Sequence, residues 1–121
     1  MNTQFMIPYP RMKDFCKRFG LNAIYAGKHW SRRREDSRYW HELVAMELSR
    51  QEIRCSIYKR PVCISFYWDD RMDCSNHAYL GKMIEDALKG RLIQDDSRKY
   101  VKGICHWFHD KHYILVEITE L

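Results

Sequence analysis

A chain of 121 residues, 45% hydrophobic and 31% charged, has the length and balance of one globular domain with a modest core. It holds no apolar run near the roughly 20 residues of a membrane span. Residues 1–8 also lack the charged start and long apolar stretch of a signal peptide, so a cytoplasmic protein with no membrane partner is expected.

The net charge of +5 is uneven. Residues 11–38 hold nine basic side chains (Arg11, Lys13, Lys17, Arg18, Lys28, Arg32, Arg33, Arg34, Arg38) against Asp14, Glu35 and Asp36, so the excess positive charge lies in this segment. Phe15, Phe19, Tyr25, His29 and Trp30 are interleaved with it. Basic and aromatic residues together suit contact with phosphates and exposed bases, and the nine basic residues are the candidate DNA-binding set. The competing reading is a solvated surface loop. Five cysteines, at 16, 55, 63, 74 and 105, are an odd number without a C-x-x-C pair, so free thiols are expected.

In chain order, residues 4–7 read as a short strand stopped by Pro8-Tyr9-Pro10. Residues 11–36 show no sustained periodicity and contain Gly20 and Gly27, which predicts mostly loop with a short helix over 11–19. From Asp36 or Ser37, either a suitable N-cap, a helix is predicted to about Gln51. Trp40, Leu43, Val44 and Leu48 form its apolar face, while Glu42, Glu47 and Arg50 point elsewhere. Residues 62–68, rich in β-branched and aromatic side chains, read as a strand. A helix over about 76–89 follows, with a stripe of Leu80, Met83, Ile84, Ala87 and Leu88 and with Gly90 as its C-cap. Lys82, Glu85, Asp86 and Lys89 take its other side. Asp95-Asp96-Ser97 reads as a turn. Two closing strands are predicted near 100–108 and 112–118, joined by His109-Asp110-Lys111. The order predicts an α/β or α+β domain with a small mixed sheet and two main helices.

Acidic residues stand on either side of the second helix: Asp70 and Asp73 before it, Asp86 on it, Asp95 and Asp96 after it. Carboxylates so placed can hold Mg²⁺, which takes oxygen ligands and keeps several waters. Lys82 and Asp86 are one turn apart, which by itself describes a surface ion pair worth about 0.2–0.5 kcal/mol. The whole set, Asp73-Cys74-Ser75-Asn76, then Lys82, then Asp86, then Asp95-Asp96, resembles the RusA family of Holliday-junction resolvases of bacteria and phages. That family's pattern runs strand, D-x-D-N, a helix with a lysine and a later Asp, and a D-D turn. The similarity is strongest over about residues 62–118, and residues 21–30 look like the variable basic N-terminal part of phage members.

The resemblance implies a homodimer that cuts branched DNA with Mg²⁺ or Mn²⁺. By position, Asp73 and Asp96 would bind metal and Lys82 would stabilise charge on the phosphate. Asn76 would order the helix start, and Asp86 matches the helix aspartate. The chemistry suits these residue types, since the cation activates water and neutralises the transition state while lysine assists. Two departures stand out: Ser75 replaces the second Asp of D-x-D-N, and Lys82 lies six residues after Asn76, a longer spacing than in some members. Asp70 can compensate for the missing carboxylate, and Asp95 is a further candidate ligand. The alternative is a junction-binding protein of the same fold that does not cleave.

His106, His109 and His112, with Cys105 and the Cys74-His77 pair, are residue types that zinc accepts. On a strand, however, Cys105 and His106 face opposite sides. His109 and His112 are therefore expected in a hairpin turn, and Trp68 and Trp107 in the core.

Overall fold

The computed structural model describes residues 2–121. Strands β1 (Asn2–Pro8), β2 (Val62–Trp68), β3 (Val101–Phe108) and β4 (Tyr113–Glu120) form one mixed sheet in the order β1-β4-β2-β3. Helices α1 (Phe15–Phe19), α2 (Leu21–Tyr25) and α3 (Trp30–Arg50) lie between β1 and β2. A 3-10 turn over Cys74–His77 leads into α4 (Ala78–Leu88), which links β2 to β3. This is the small α+β architecture that the element order predicts.

β4 runs antiparallel to both β1 and β2, and β2 runs parallel to β3. A parallel pair needs a crossover, and α4 provides it. The predicted hairpin between the last two strands is corrected by this topology. β3 and β4 lie on either side of β2, so residues 109–112 carry the chain across the end of β2. His109 N–H donates to the Trp68 carbonyl there (3.0 Å), and His112 takes a left-handed φ of 63°.

The strands alternate as their sequences do. Phe5 and Ile7 of β1, Ile64, Phe66 and Trp68 of β2, and Ile114, Val116 and Ile118 of β4 face one side. They pack with Trp40, Val44 and Leu48 of α3 and with Leu80, Ile84 and Leu88 of α4 in one core. Each such side chain, fully buried, contributes about 1.5–3 kcal/mol of transfer free energy. Among the described residues no helix is long and apolar enough to cross a membrane.

Four further expectations are corrected. α3 begins at Trp30, well before Asp36, because the His29 side chain caps it by accepting from Ser31 N–H (3.1 Å). The short helix expected over 11–19 is present as α1, but α2 and the first turns of α3 occupy much of the rest of the segment read as loop. Glu47 does not point outward but is buried, accepting from Arg50 and Gln51. Trp107 is 54% exposed on β3, an edge strand that α4 does not cover at that position, while Trp68 is buried as predicted.

Candidate functional site

Three groups of polar side chains surround the N- and C-terminal ends of α4. The first is centred on Lys82. The α4 spacing sets Asp86 one turn beyond it, and Lys82 Nζ donates to Asp86 Oδ1 at 3.0 Å. Gly90 has a φ of 77°, a conformation that costs glycine little, and the chain reverses there. The buried Leu92 and Ile93 anchor the returning segment. Asp96 thereby reaches Lys82, which donates to its Oδ2. Lys89 lies 3.2 Å from Asp86, 3.1 Å from Asp96 and 3.9 Å from Asp95, and Glu85 lies 3.7 Å from Lys82.

Four carboxylates around two ammonium groups leave an excess of negative charge. The Lys82 bond and the Lys89 bond hold the Asp96 carboxyl far below the usual carboxylate range. Burial pulls the Lys82 ammonium down, but its bonds to Asp96 and Asp86 outweigh that and raise it. Burial pushes Glu85 up, and the neighbouring Asp96 and Asp86 add to the effect. Asp86 and Asp96 converge on one cationic point, Lys82 Nζ. Their oxygens have the donor chemistry for Mg²⁺ or Mn²⁺ once the ammonium moves aside. Among the described residues no three His, Cys, Asp or Glu side chains group as a metal cluster.

The second group locks the loop before α4. Both oxygens of Asp70 lie within 2.9 Å of His77 Nε2, and Tyr9 O–H donates to Asp70 at 2.7 Å. Met72 N–H donates to Asp70 at 2.9 Å. His77 Nδ1 lies 3.0 Å from the Cys74 carbonyl, so both ring nitrogens face acceptors. His77 is fully buried and stacks on Trp68 at 4.4 Å between centroids. Burial raises Asp70, but the bonds from His77, Tyr9 and Met72 outweigh it and lower the carboxyl.

The third is a basic cavity of about 890 Å³ walled by α1, α2, the first turns of α3 and the loop that carries Asp73. Its back is Asp36, which is 1% exposed. Asp36 accepts from Arg18 Nε (3.1 Å), from Lys28 Nζ and from Tyr79 O–H (2.7 Å). Burial and the Asp36 bond push the Tyr79 hydroxyl far up.

The fold thus joins Lys82, Asp86, Asp95 and Asp96 and leaves Asp70 and Asp73 outside that cluster. Asp70 belongs to the loop lock. Asp73 and Asn76 line the basic cavity, and Asn76 accepts from Asn22 N–H (3.0 Å), tying α2 to the 3-10 turn. Ser75 is exposed. At about 1.5 Å per residue, α4 carries Lys82 about 6 Å along its axis beyond Ala78, with Asn76 further back in the 3-10 turn.

Of the nine basic residues, Lys17, Arg18, Lys28 and Arg32 line the cavity, and Arg18 and Lys28 are engaged by Asp36. Arg11, Lys13, Arg33, Arg34 and Arg38 are exposed outside it. Sequence reasoning missed Asp36, taken as a helix cap, and also Lys89, Glu85 and Arg71. Lys89 and Glu85 had a legible signal, since both lie within one turn of Asp86 or Lys82.

Around the histidines, Cys105 and His106 do face apart. The Cys105 thiol neighbours Cys63, and it adds to the burial that raises the Cys63 thiol. His106 Nδ1 accepts from the Trp68 indole N–H at 3.0 Å.

Compared with known proteins, the chain matches no family model and no curated protein.

Proposed function

We propose that this chain is a Mg²⁺- or Mn²⁺-dependent endodeoxyribonuclease that cuts branched DNA such as a Holliday junction, acting in the cytoplasm as a homodimer. The observation that carries the reading is the meeting of Lys82 with Asp86 and Asp96. These are the helix lysine, the helix aspartate and the turn aspartate of the RusA-like pattern, drawn together from separate parts of the chain.

Asp86 and Asp96 are the residues that would hold the cation, with waters completing its oxygen shell. When bound, it supplies charge neutralisation at the phosphate and a more acidic water. Lys82 stays protonated, because Asp96 and Asp86 raise it, and can donate to a phosphate oxygen as charge develops. The exposed basic residues of α1 and α3 hold the strand backbone. Asp73 and Asn76 contribute at the separate cavity before α4. Symmetric cuts in two strands require two such sites, which is the reason for a dimer.

The test is a synthetic four-way junction incubated with the purified chain, with and without Mg²⁺, beside Asp73→Asn and Asp96→Asn. Paired nicks that need the metal and vanish with Asp96→Asn support the enzyme. A second reading, junction binding without cleavage, is favoured by Ser75, which provides no charge where the pattern has a carboxylate. Salt-sensitive binding with no nicks under either Mg²⁺ or Mn²⁺ would establish that reading instead.

A further inference from the structure

The basic cavity beside Asp73 has the wrong size and lining for a duplex. At about 890 Å³ it falls among pockets of roughly 300–1,000 Å³ that enclose small molecules. Lys17, Arg32 and Arg71 reach it with no side-chain hydrogen bond or ion pair among the described residues. Asp14, Glu35 and Asp73 line it as well, and Ala23, Ala26 and Met72 give it apolar patches. A bare run of phosphates would meet repulsion from those carboxylates. A single nucleotide offers a phosphate for the cations and, on its base edge, amino donors for the carboxylates.

Two large aromatic rings stand outside the cavity lining, on the helices that bound it. Tyr25, the last residue of α2, is 79% exposed, and Trp30, the first of α3, is 60% exposed. Arg34 lies over the Trp30 ring at 5.6 Å and His29 lies against it at 5.5 Å. None of the core needs these rings, and exposed rings set among cations are the elements of a single-strand platform.

We infer that this cavity takes an unpaired nucleotide of a DNA strand, with Tyr25 and Trp30 stacking on exposed bases and Arg32, Arg71 and Lys17 holding the phosphate. The inference rests on the nucleic-acid part of the function proposed above and is independent of cleavage. It gives the chain a preference for unpaired nucleotides over duplex.

The test uses the full chain without divalent cation and reads fluorescence anisotropy on a short end-labelled single strand and on the duplex of the same sequence. The single strand is expected to bind more tightly. Tyr25→Ala and Trp30→Ala are each expected to weaken it by roughly fivefold or more, with little change for duplex and an unchanged thermal midpoint. Arg71→Gln is expected to weaken binding and to reduce the salt slope by about one. Equal affinity for duplex and single strand, or a single-strand affinity unmoved in both aromatic variants, overturns the inference. Junction cleavage is scored separately with Mg²⁺. Its absence alongside single-strand binding removes the nuclease reading and leaves this inference standing, and cleavage by a chain indifferent to single strands does the reverse.

Discussion

Lys82 and Asp96 stand 14 residues apart in the chain, yet the Lys82 ammonium donates directly to the Asp96 carboxylate. Asp86 shares the same ammonium at 3.0 Å. A divalent cation would compete with that ammonium for the same oxygens, so the two partners should respond differently to substitution. Asp96→Asn is expected to weaken Mn²⁺ binding and to lower junction cleavage by roughly 10²–10³-fold. Lys82→Met is expected to bind Mn²⁺ at least as tightly while losing cleavage to a similar degree. Mn²⁺ titration followed by electron paramagnetic resonance, beside a cleavage assay, checks both. Undiminished Mn²⁺ affinity in Asp96→Asn would contradict the assignment.

Asp36, on α3, ties α1, the α2–α3 connection and α4 together from a buried position, accepting from Arg18, Lys28 and Tyr79. Removing one member of a buried charged network leaves the others desolvated and unpaired. Asp36→Ala is therefore expected to cost about 3 kcal/mol in urea unfolding. Arg38→Ala, at an exposed position without a side-chain partner among the described residues, should move stability by less than about 0.5 kcal/mol.

Gly20 is required by close approach. A Cβ there would lie 2.7 Å from the Cys16 carbonyl oxygen and 2.8 Å from Asn76 Nδ2. Gly20→Ala is expected to destabilise the fold by about 1–3 kcal/mol, as overpacking does. It should also displace Asn76, and with it the Asp73 loop, lowering DNA affinity more than a remote variant of equal stability. Paired unfolding and binding measurements separate the two effects.

Asp70 is one source of acid sensitivity, beside Asp96, whose carboxyl is held lower still. Burial opposes the ionisation of Asp70, but His77, Tyr9 and Met72 N–H overcome that and lower the folded carboxyl. As pH falls, the unfolded chain therefore takes up this proton first. The stabilisation is complete above the unfolded value, near pH 4, and is lost as pH falls through the folded one. Asp70→Asn should flatten this acid limb and cost about 3 kcal/mol at neutral pH, because it breaks a buried pair. Glu85 carries the opposite sign. Burial raises its folded carboxyl, so Glu85→Gln is expected to stabilise the protein at neutral pH. Denaturant titrations at several pH values check both.

Local pattern was legible wherever local forces decided the outcome. β2 falls on the residues that its β-branched and aromatic run marks, and the Leu80-Met83-Ile84-Ala87-Leu88 stripe is buried as its spacing requires. Where two local signals competed, the reading went astray. Asp36 is a good N-cap by type, but a buried site with three donors stabilises it more than one capping bond, and His29 caps α3 instead. The early helix start was masked because charged residues fill the exposed first turns of α3 and no apolar stripe announces them.

The amino-acid order alone determined β2, the buried stripe of α4, the uneven charge and the presence of acidic residues on both sides of α4, since each depends on near neighbours. Which carboxylates meet was decided by the tertiary structure. The glycine reversal at Gly90, anchored by Leu92 and Ile93, brings Asp96 back to Lys82, whereas the burial of His77 draws Asp70 away into a lock of its own. The sheet order has the same origin: strand pairing is set by which apolar faces share one core, and no spacing along the chain encodes that β2 lies between β3 and β4.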